Sequence, residues 1–210
     1  MVFLIIMAVL AVTAILSVVF YRFWFLRNPE ITVPRGNNIV SPAGGKVSRI
    51  VKTSSKSVTI SKHHIGKVKA LAKDVAKDCI IISIMLTPLD VHYQKAPMDG
   101  KIIYSKHKAG KLYNAVLGHD SMRATLENES NQILISTAIG NIKVVQIAGF
   151  VARRICSFAE HNDNIKKGQD IGVIKLGSQV SIIIPDKKNI MIKVKEGERV
   201  MCGETVIAEY

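Results

Sequence analysis

Acidic side chains are scarce in this chain: 16 Asp and Glu stand against 29 Lys and Arg among 210 residues, a formal net charge of +13. That excess excludes an acidic, self-repelling chain, and leaves an anionic surface or plain solubility to account for the charge. Nucleic acid fits poorly, because the lysines are scattered, are not interleaved with stacking aromatics, and form no recognised binding motif. From Val2 to Phe20 charge of either sign is missing altogether. A helix over that run would be roughly 28 Å long at ~1.5 Å per residue, the depth of a bilayer's hydrocarbon core. Cysteine is limited to Cys79, Cys156 and Cys202. An odd number without metal-type spacing excludes a disulfide framework and reads as reduced thiols in a cytoplasmic domain. Low-complexity tracts are absent.

The apolar run has no basic residue before it, unlike a secretory signal, and it leads directly into Tyr21, Phe23, Trp24 and Phe25 interleaved with Arg22 and Arg27. Such residues form an interfacial belt with cationic anchors. A retained transmembrane anchor over residues 1–27 is therefore expected, with a cleaved signal or a buried core helix as the competing readings. Every Lys and Arg follows the apolar run, so the positive-inside bias puts the rest of the chain in the cytoplasm, at the cell membrane. Lys and Arg near an anionic leaflet each contribute about 1 kcal/mol. Residues 28–38, with Pro29, Pro34 and Gly36, read as an irregular tether.

Beyond the tether the pattern is β-rich: KVSRIVK, CIIISIML, GKIIYS, QILISTA, NIKVVQIAG, DIGVIKL, QVSIIIP and TVIAEY are short runs, alternating or wholly apolar, separated by Gly, Asn, Asp and Lys. Two internal echoes point to duplication. Pro42-Ala-Gly-Gly45-Lys-Val recurs as Pro97-Met-Asp-Gly100-Lys-Ile, and Ile165-Lys-Lys-Gly168-Gln-Asp-Ile as Val200-Met-Cys-Gly203-Glu-Thr-Val. The second resembles turns of lipoyl-carrier-like barrel-sandwich hybrids. The expected fold is mainly β: a duplicated, barrel-sandwich-like antiparallel domain over residues 28–210 behind an N-terminal transmembrane helix.

Of the six histidines, His92 in Asp90-Val-His92 is the best acid–base candidate, since imidazole exchanges protons near neutral pH. Asp90, two residues away, would share a face with it in an extended strand and could orient it, or could cap a turn. His63 and His64 are adjacent and would face opposite sides of a strand, which makes no metal site. His107, His119 and His161 sit among loop residues. Gly177-Ser178 divides two apolar runs in IGVIKLGSQVSIIIPD and by itself reads as a turn. Arg153-Arg154 ends the run QIAGFVARRI and reads either as a phosphate-holding pair or as the solvated end of a strand.

Taken together, LTPLDVHYQKAP (86–97), QIAGFVARRI (146–155), the Gly177-Ser178 pair and the apolar segment ending in FYRFWFLRNPE resemble the short-form (type A) phosphatidylserine decarboxylase proenzymes and their archaetidylserine counterparts. The resemblance runs from about Phe20 to the C-terminus. It implies that the chain is a carboxy-lyase of phospholipid biosynthesis and cuts itself between Gly177 and Ser178 into a large β chain (1–177) and a small α chain (178–210). Ser178 would become a pyruvoyl group whose Schiff base with the serine headgroup releases CO2, and His92 would protonate the product carbon. No metal and no diffusible cofactor are implied. Asp90 would assist His92, and Arg153 and Arg154 would hold the lipid phosphate. The partners implied are the phospholipid, the membrane, and the two chains of one precursor, without nucleic acid.

The chain departs from the pattern at Gly44, where relatives read SPADGK and carry an aspartate assigned to self-cleavage. Lys95 stands where long forms carry a second histidine. A slowed enzyme with Asp90 or Asp99 substituting, an unprocessed homologue, and a membrane-tethered carrier-like domain are the outcomes left open.

Overall fold

The computed structural model describes residues 1–53, 68, 70–110, 128–149, 154–175 and 178–210, apart from the side chains of Arg154 and Ser178. The apolar run forms helix α1 (Val2–Val19), which passes into a π-helical segment over Phe20–Phe25. There the Leu26 N–H donates to the Tyr21 carbonyl at 3.1 Å, the i+5 spacing of a π-turn. No residue of α1 is buried. Helix and π-turn together, Val2–Phe25, are long and apolar enough to cross a bilayer. Phe25 is the first side chain to be buried by the rest of the protein.

The strands are β1 (Asn38–Val40), β2 (Gly45–Lys52), β3 (Cys79–Leu86), β4 (Tyr93–Lys95), β5 (Gly100–Lys108), β6 (Ser130–Thr137), β7 (Gly140–Ala148), β8 (Arg154–Ser157), β9 (Asn164–Ile165), β10 (Asp170–Lys175), β11 (Ser178–Pro185), β12 (Met191–Ile192), β13 (Arg199–Val200) and β14 (Val206–Glu209). They form an eight-stranded sheet, β13-β2-β3-β11-β7-β6-β5-β9, and two three-stranded sheets, β4-β10-β8 and β1-β14-β12. The pairings are antiparallel. The expected mainly β, antiparallel architecture behind an apolar helix is what the chain adopts.

The duplication is visible in the hydrogen bonds. Gly45 opens β2 opposite Val200, and Gly100 opens β5 opposite Ile165. The Val47 N–H donates to the Glu198 carbonyl and the Ile102 N–H to the Asp163 carbonyl, both at 2.8 Å. Each long strand then carries an irregularity at the same place, Val47/Arg49 and Ile102/Tyr104. A Cβ at Gly45 would collide with the Met85 carbonyl, and one at Gly100 with the Ser136 carbonyl, so a partner strand passes too close for any side chain. Gly168 and Gly203 turn with φ of +84° and +74°. The tether lies over both turns: a Cβ at Gly168 would strike Val33, and one at Gly203 would strike Ile31.

Wholly apolar runs such as CIIISIML mark the centre of the large sheet because both of its faces are covered. Ile80, Ile82, Ile84 and Leu86 of β3 face the main core with Val180, Ile182 and Ile184 of β11. Cys79, Ile81, Val145, Ile147 and Ile183 face a second, smaller cluster under Val68 and Ala72. A helical segment including Ala70–Ala72 covers that face. It is held there by Lys143, whose buried ammonium donates to the Leu71 carbonyl at 2.6 Å and pairs with Asp74. Burial pushes the Lys143 pKa down against the pull of Asp74. Burial also raises the Asp74 carboxyl, but hydrogen bonds from Lys143 and Tyr104 outweigh it and leave the pKa below the usual value.

Candidate active site

Three strands that neighbour one another in the large sheet, β3, β11 and β7, are each linked to a strand of the small sheet β4-β10-β8, and the order is preserved. β3 leads to β4, β10 leads to β11, and β7 leads to β8. Between the sheets the ladder is interrupted. On one side Ser178 pairs with Leu86 and Ala148; on the other Val173 pairs with Tyr93 and Cys156, and Lys175 with Arg154. The three sequence motifs, far apart in the chain, therefore meet at one seam. Residues 87–92 bridge it in the first strand; 150–153 and 176–177, which link the other two pairs of strands, lie outside the described residues. On the small-sheet side of the seam the Ile174 N–H donates to the His92 carbonyl at 3.2 Å, extending the pairing of β10 with β4. Ser178 follows Ile174 by four positions, which bounds their Cα distance at about 14 Å.

His92 is fully buried. Its Nδ1 lies 2.8 Å from the Asp90 carbonyl oxygen, which favours an Nδ1–H donor and leaves Nε2 as the bare acceptor. Nε2 has no hydrogen-bond partner among the described residues. Burial pushes the His92 pKa down; the Asp90 carbonyl and carboxylate oppose this, and the charge of Arg27 adds to it. The ring is thus neutral at physiological pH, with an orphaned lone pair in a buried place. Against it lies Phe25, also fully buried, at a centroid distance of 3.9 Å and tilted by 32°. Tyr21 stacks on Phe25 at 5.5 Å.

Asp90 does not share a strand face with His92, because residues 87–92 form an irregular turn. Its carboxylate caps that turn, accepting from the Thr87 N–H and Oγ at 2.7 Å each, and pairs with Arg199. Its hydrogen bond to His92 comes from the main-chain carbonyl, and its carboxylate acts on the ring through charge. Of the two sequence readings, the capping role is the one its side chain fills.

A chain of buried amides supports the seam from within. Gln94 donates to the His92 carbonyl at 2.6 Å, Gln146 donates to Gln94 Oε1 at 2.8 Å, and Asn131 donates to Gln146 Oε1 at 2.9 Å. Their side chains join β4 to β7 and β6, elements that share no ladder with β4. The sequence pattern singles out neither these amides nor Arg199, and it places Phe25 in the interfacial belt rather than against His92. The glutamines interrupt otherwise apolar strand positions, which was the available signal; nothing local marks Arg199.

Beside the seam lies a cavity of about 530 Å³ between the tether and the loops at 44–45, 89–91 and 199–204. Arg27, Lys95, Arg199, Asp90 and Glu204 contribute charged groups to it, but His92 does not line it. Gly44 faces this cavity, and a Cβ there would make only ordinary contacts, the nearest 3.6 Å from the Cys202 nitrogen. Lys95 bridges Asp170 at 2.8 Å and donates to Asn28 at 3.0 Å. Asp99 is turned elsewhere: it caps the Lys167 N–H at 2.7 Å and sits 3.6 Å from Lys166. Of the two carboxylates considered as substitutes at Gly44, Asp90 is the one that lines the same cavity.

Gly177 and Arg153 lie outside the described residues, as do His63, His64, His119 and Arg123; for Ser178 and Arg154 only the backbone is described. His161 meets the Ile103 carbonyl and His107 meets Glu129 at exposed positions.

A family model described as phosphatidylserine decarboxylase matches residues 19–208. The putative archaetidylserine decarboxylase proenzyme of Methanocaldococcus jannaschii is 39% identical over 197 residues, covering 93% of this chain and 92% of that protein. Its counterpart in Methanothermobacter thermautotrophicus is 36% identical over 198 residues, covering 92% and 82%. The phosphatidylserine decarboxylase proenzyme of Syntrophus aciditrophicus is 34% identical over 205 residues, covering 97% and 84%. With a match over nearly its whole length and its three motif segments gathered at one seam, the chain belongs to the phosphatidylserine decarboxylase family.

Proposed function

We propose that this protein is a membrane-anchored decarboxylase that converts a serine-headgroup phospholipid, phosphatidylserine or archaetidylserine, to the ethanolamine lipid and CO2. In this reading the chain cuts itself between Gly177 and Ser178, and residues 1–27 anchor a cytoplasmic catalytic domain, 28–210, in the cell membrane. The observation that carries the reading is the bare, buried Nε2 of a neutral His92 at the seam where β11 begins with Ser178.

Cleavage would begin with attack of the Ser178 hydroxyl on the Gly177 carbonyl carbon, turning the amide into an ester. Loss of the Ser178 α-proton then expels the Gly177 carboxylate and leaves dehydroalanine, which takes up water and releases ammonia to give a pyruvoyl cap. That cap supplies a ketone which captures the substrate amine and accepts the electron pair as CO2 departs. His92 Nε2, neutral and water-shielded, is suited to take a proton and return it to the headgroup carbon. Asp90 holds the turn that aims it, tied to Thr87 and Arg199. Arg153 and Arg154 are assigned to the lipid phosphate; the register of Arg154 with Lys175 brings that segment to the seam. No group of three or more potential metal ligands occurs among the described residues.

Two chains cut at this point would stay joined. Within 178–210, β11 pairs with β3 and β7, β13 with β2, and β14 with β1, all contributed by the large fragment.

Intact-mass analysis of the full chain purified in vesicles tests the proposal. Wild type should yield two pieces, the smaller carrying a carbonyl that reacts with phenylhydrazine, and should release CO2 from lipid. Ser178→Ala should remain whole and inactive. A wild-type chain that stays uncut and unreactive sinks the reading.

A further inference from the structure

His92 is sealed by a side chain that belongs to the membrane segment. Phe25 ends the apolar helix Val2–Phe25 and is its one buried residue. Its ring packs on His92, Tyr21 stacks on it one helical turn earlier, and both lie at the C-terminal end of the apolar segment. Arg27, two residues on, clamps this end of the helix to the catalytic turn, donating to the Leu89 carbonyl at 2.7 Å and to the Trp24 carbonyl at 2.8 Å.

The cavity comes close to His92 without reaching it. Asp90 and Val91, the two residues before His92, line it, as does Arg27. Leu89 and Met201, both in its wall, are more than 60% exposed despite being apolar, and Trp24, half exposed, stacks under Arg27, which donates to the Leu89 carbonyl. Apolar rims around a charged cavity at the end of a membrane helix suit a lipid whose headgroup enters while its chains stay in the bilayer.

We infer that Phe25 is a specificity-determining gate, which closes His92 to water and soluble headgroups and is displaced by a serine lipid arriving from the bilayer through the cavity at Arg27, Leu89 and Met201. The inference rests on the proposed decarboxylase reading. The ring is held by burial and stacking alone, having no polar tie, so it can swing aside without leaving a hydrogen bond unmade. Only a ligand that binds the open state better can shift that equilibrium. A lipid gains this advantage by laying the first carbons of its apolar chains where the ring was, whereas a chain-free headgroup gains little. Burial of one aromatic side chain keeps the open state at about 1–10%, so removing the ring should raise apparent affinity for a soluble headgroup about ten- to a hundredfold.

The test compares full-length wild type, Phe25→Ala and Phe25→Leu in vesicles, with serine lipid and with water-soluble glycerophosphoserine as alternative substrates. The expected result is that wild type turns over lipid but scarcely glycerophosphoserine, while Phe25→Ala gains at least tenfold in kcat/KM for glycerophosphoserine relative to lipid, and Phe25→Leu falls between. A second readout needs no turnover: diethyl pyrocarbonate modification of His92, followed by mass spectrometry, should be slow in wild type and fast in Phe25→Ala. Equal protection of His92 in all three proteins, with an unchanged ratio of the two substrates, overturns the gate. Absence of Ser178 conversion in wild type is a different failure, and belongs to the proposed function.

Discussion

Arg199 and Asp90, 109 positions apart, form an ion pair that ties strand β13 to the turn carrying His92. The Asp90 side chain is 6% exposed and that of Arg199 69%, so the pair is half wet and its stabilising worth is modest, about 1 kcal/mol. Its catalytic worth is larger, because Asp90 shapes the loop whose carbonyl sets the His92 tautomer. Arg199→Ala should lower the unfolding free energy by only that amount, yet lower kcat about tenfold with KM little changed. Chemical denaturation and lipid turnover, measured side by side, separate the two effects.

The same pair would join the large fragment to the small one after cleavage. Together with the β11 ladders it should keep residues 178–210 bound through gel filtration in detergent. Separation is expected only in denaturant, where the whole sheet is lost. Elution of the small fragment alone under native conditions would contradict the pairing.

His92 makes stability acid-sensitive. Its folded pKa lies below the ordinary 6.5 because burial disfavours the charged ring. The folded state therefore binds fewer protons than the unfolded one, so the stability is fully present above 6.5 and is lost as pH falls toward the folded pKa. His92→Gln should flatten the fall in stability below pH 6.5 while abolishing decarboxylation. Activity of the wild type should hold through neutral pH and drop on an acid limb below the ordinary imidazole range. An acid limb above 6.5 would contradict a neutral, buried His92.

Gly44 has room for a side chain, since a Cβ there meets nothing closer than 3.6 Å, and it faces the same cavity as Asp90. Gly44→Asp should leave the chain folded, because its Cβ meets no clash. It should shorten the half-time of self-cleavage, followed as the appearance of the small fragment after synthesis. An unchanged half-time would mean that this chain's processing does not depend on a carboxylate at that place.

Asp74 and Lys143 offer a control far from the seam. Removing the carboxylate alone leaves a buried ammonium with the Leu71 carbonyl as its remaining hydrogen-bond partner, and Asp74→Ala should destabilise by about 3–5 kcal/mol. The double change with Lys143→Met should recover most of that loss, because no charge is then stranded. Equal melting of the single and double variants would refute the buried pair.

The strands were legible in the sequence because their apolar runs are long and bounded by turn residues, and CIIISIML and QVSIIIP both became central strands. The duplication was legible too, down to the paired glycines Gly45 and Gly100, since two backbones pass where no Cβ fits. Legibility failed for Asp90 and His92. Their spacing suggested a shared strand face, but the turn that follows Leu86 breaks the two-residue alternation, and the carboxylate turned to Thr87 and Arg199.

What the chain's composition and order determined is the apolar N-terminal helix, the β-rich repeats and the family to which the motifs point, all of them properties of local pattern. Tertiary structure alone decided that three distant motifs meet where one set of strands passes between two sheets. It also decided that Phe25 covers His92 and that Arg199 reaches Asp90. Such contacts join residues tens of positions apart and follow from how the sheets stack, so no window of sequence contains the information that creates them.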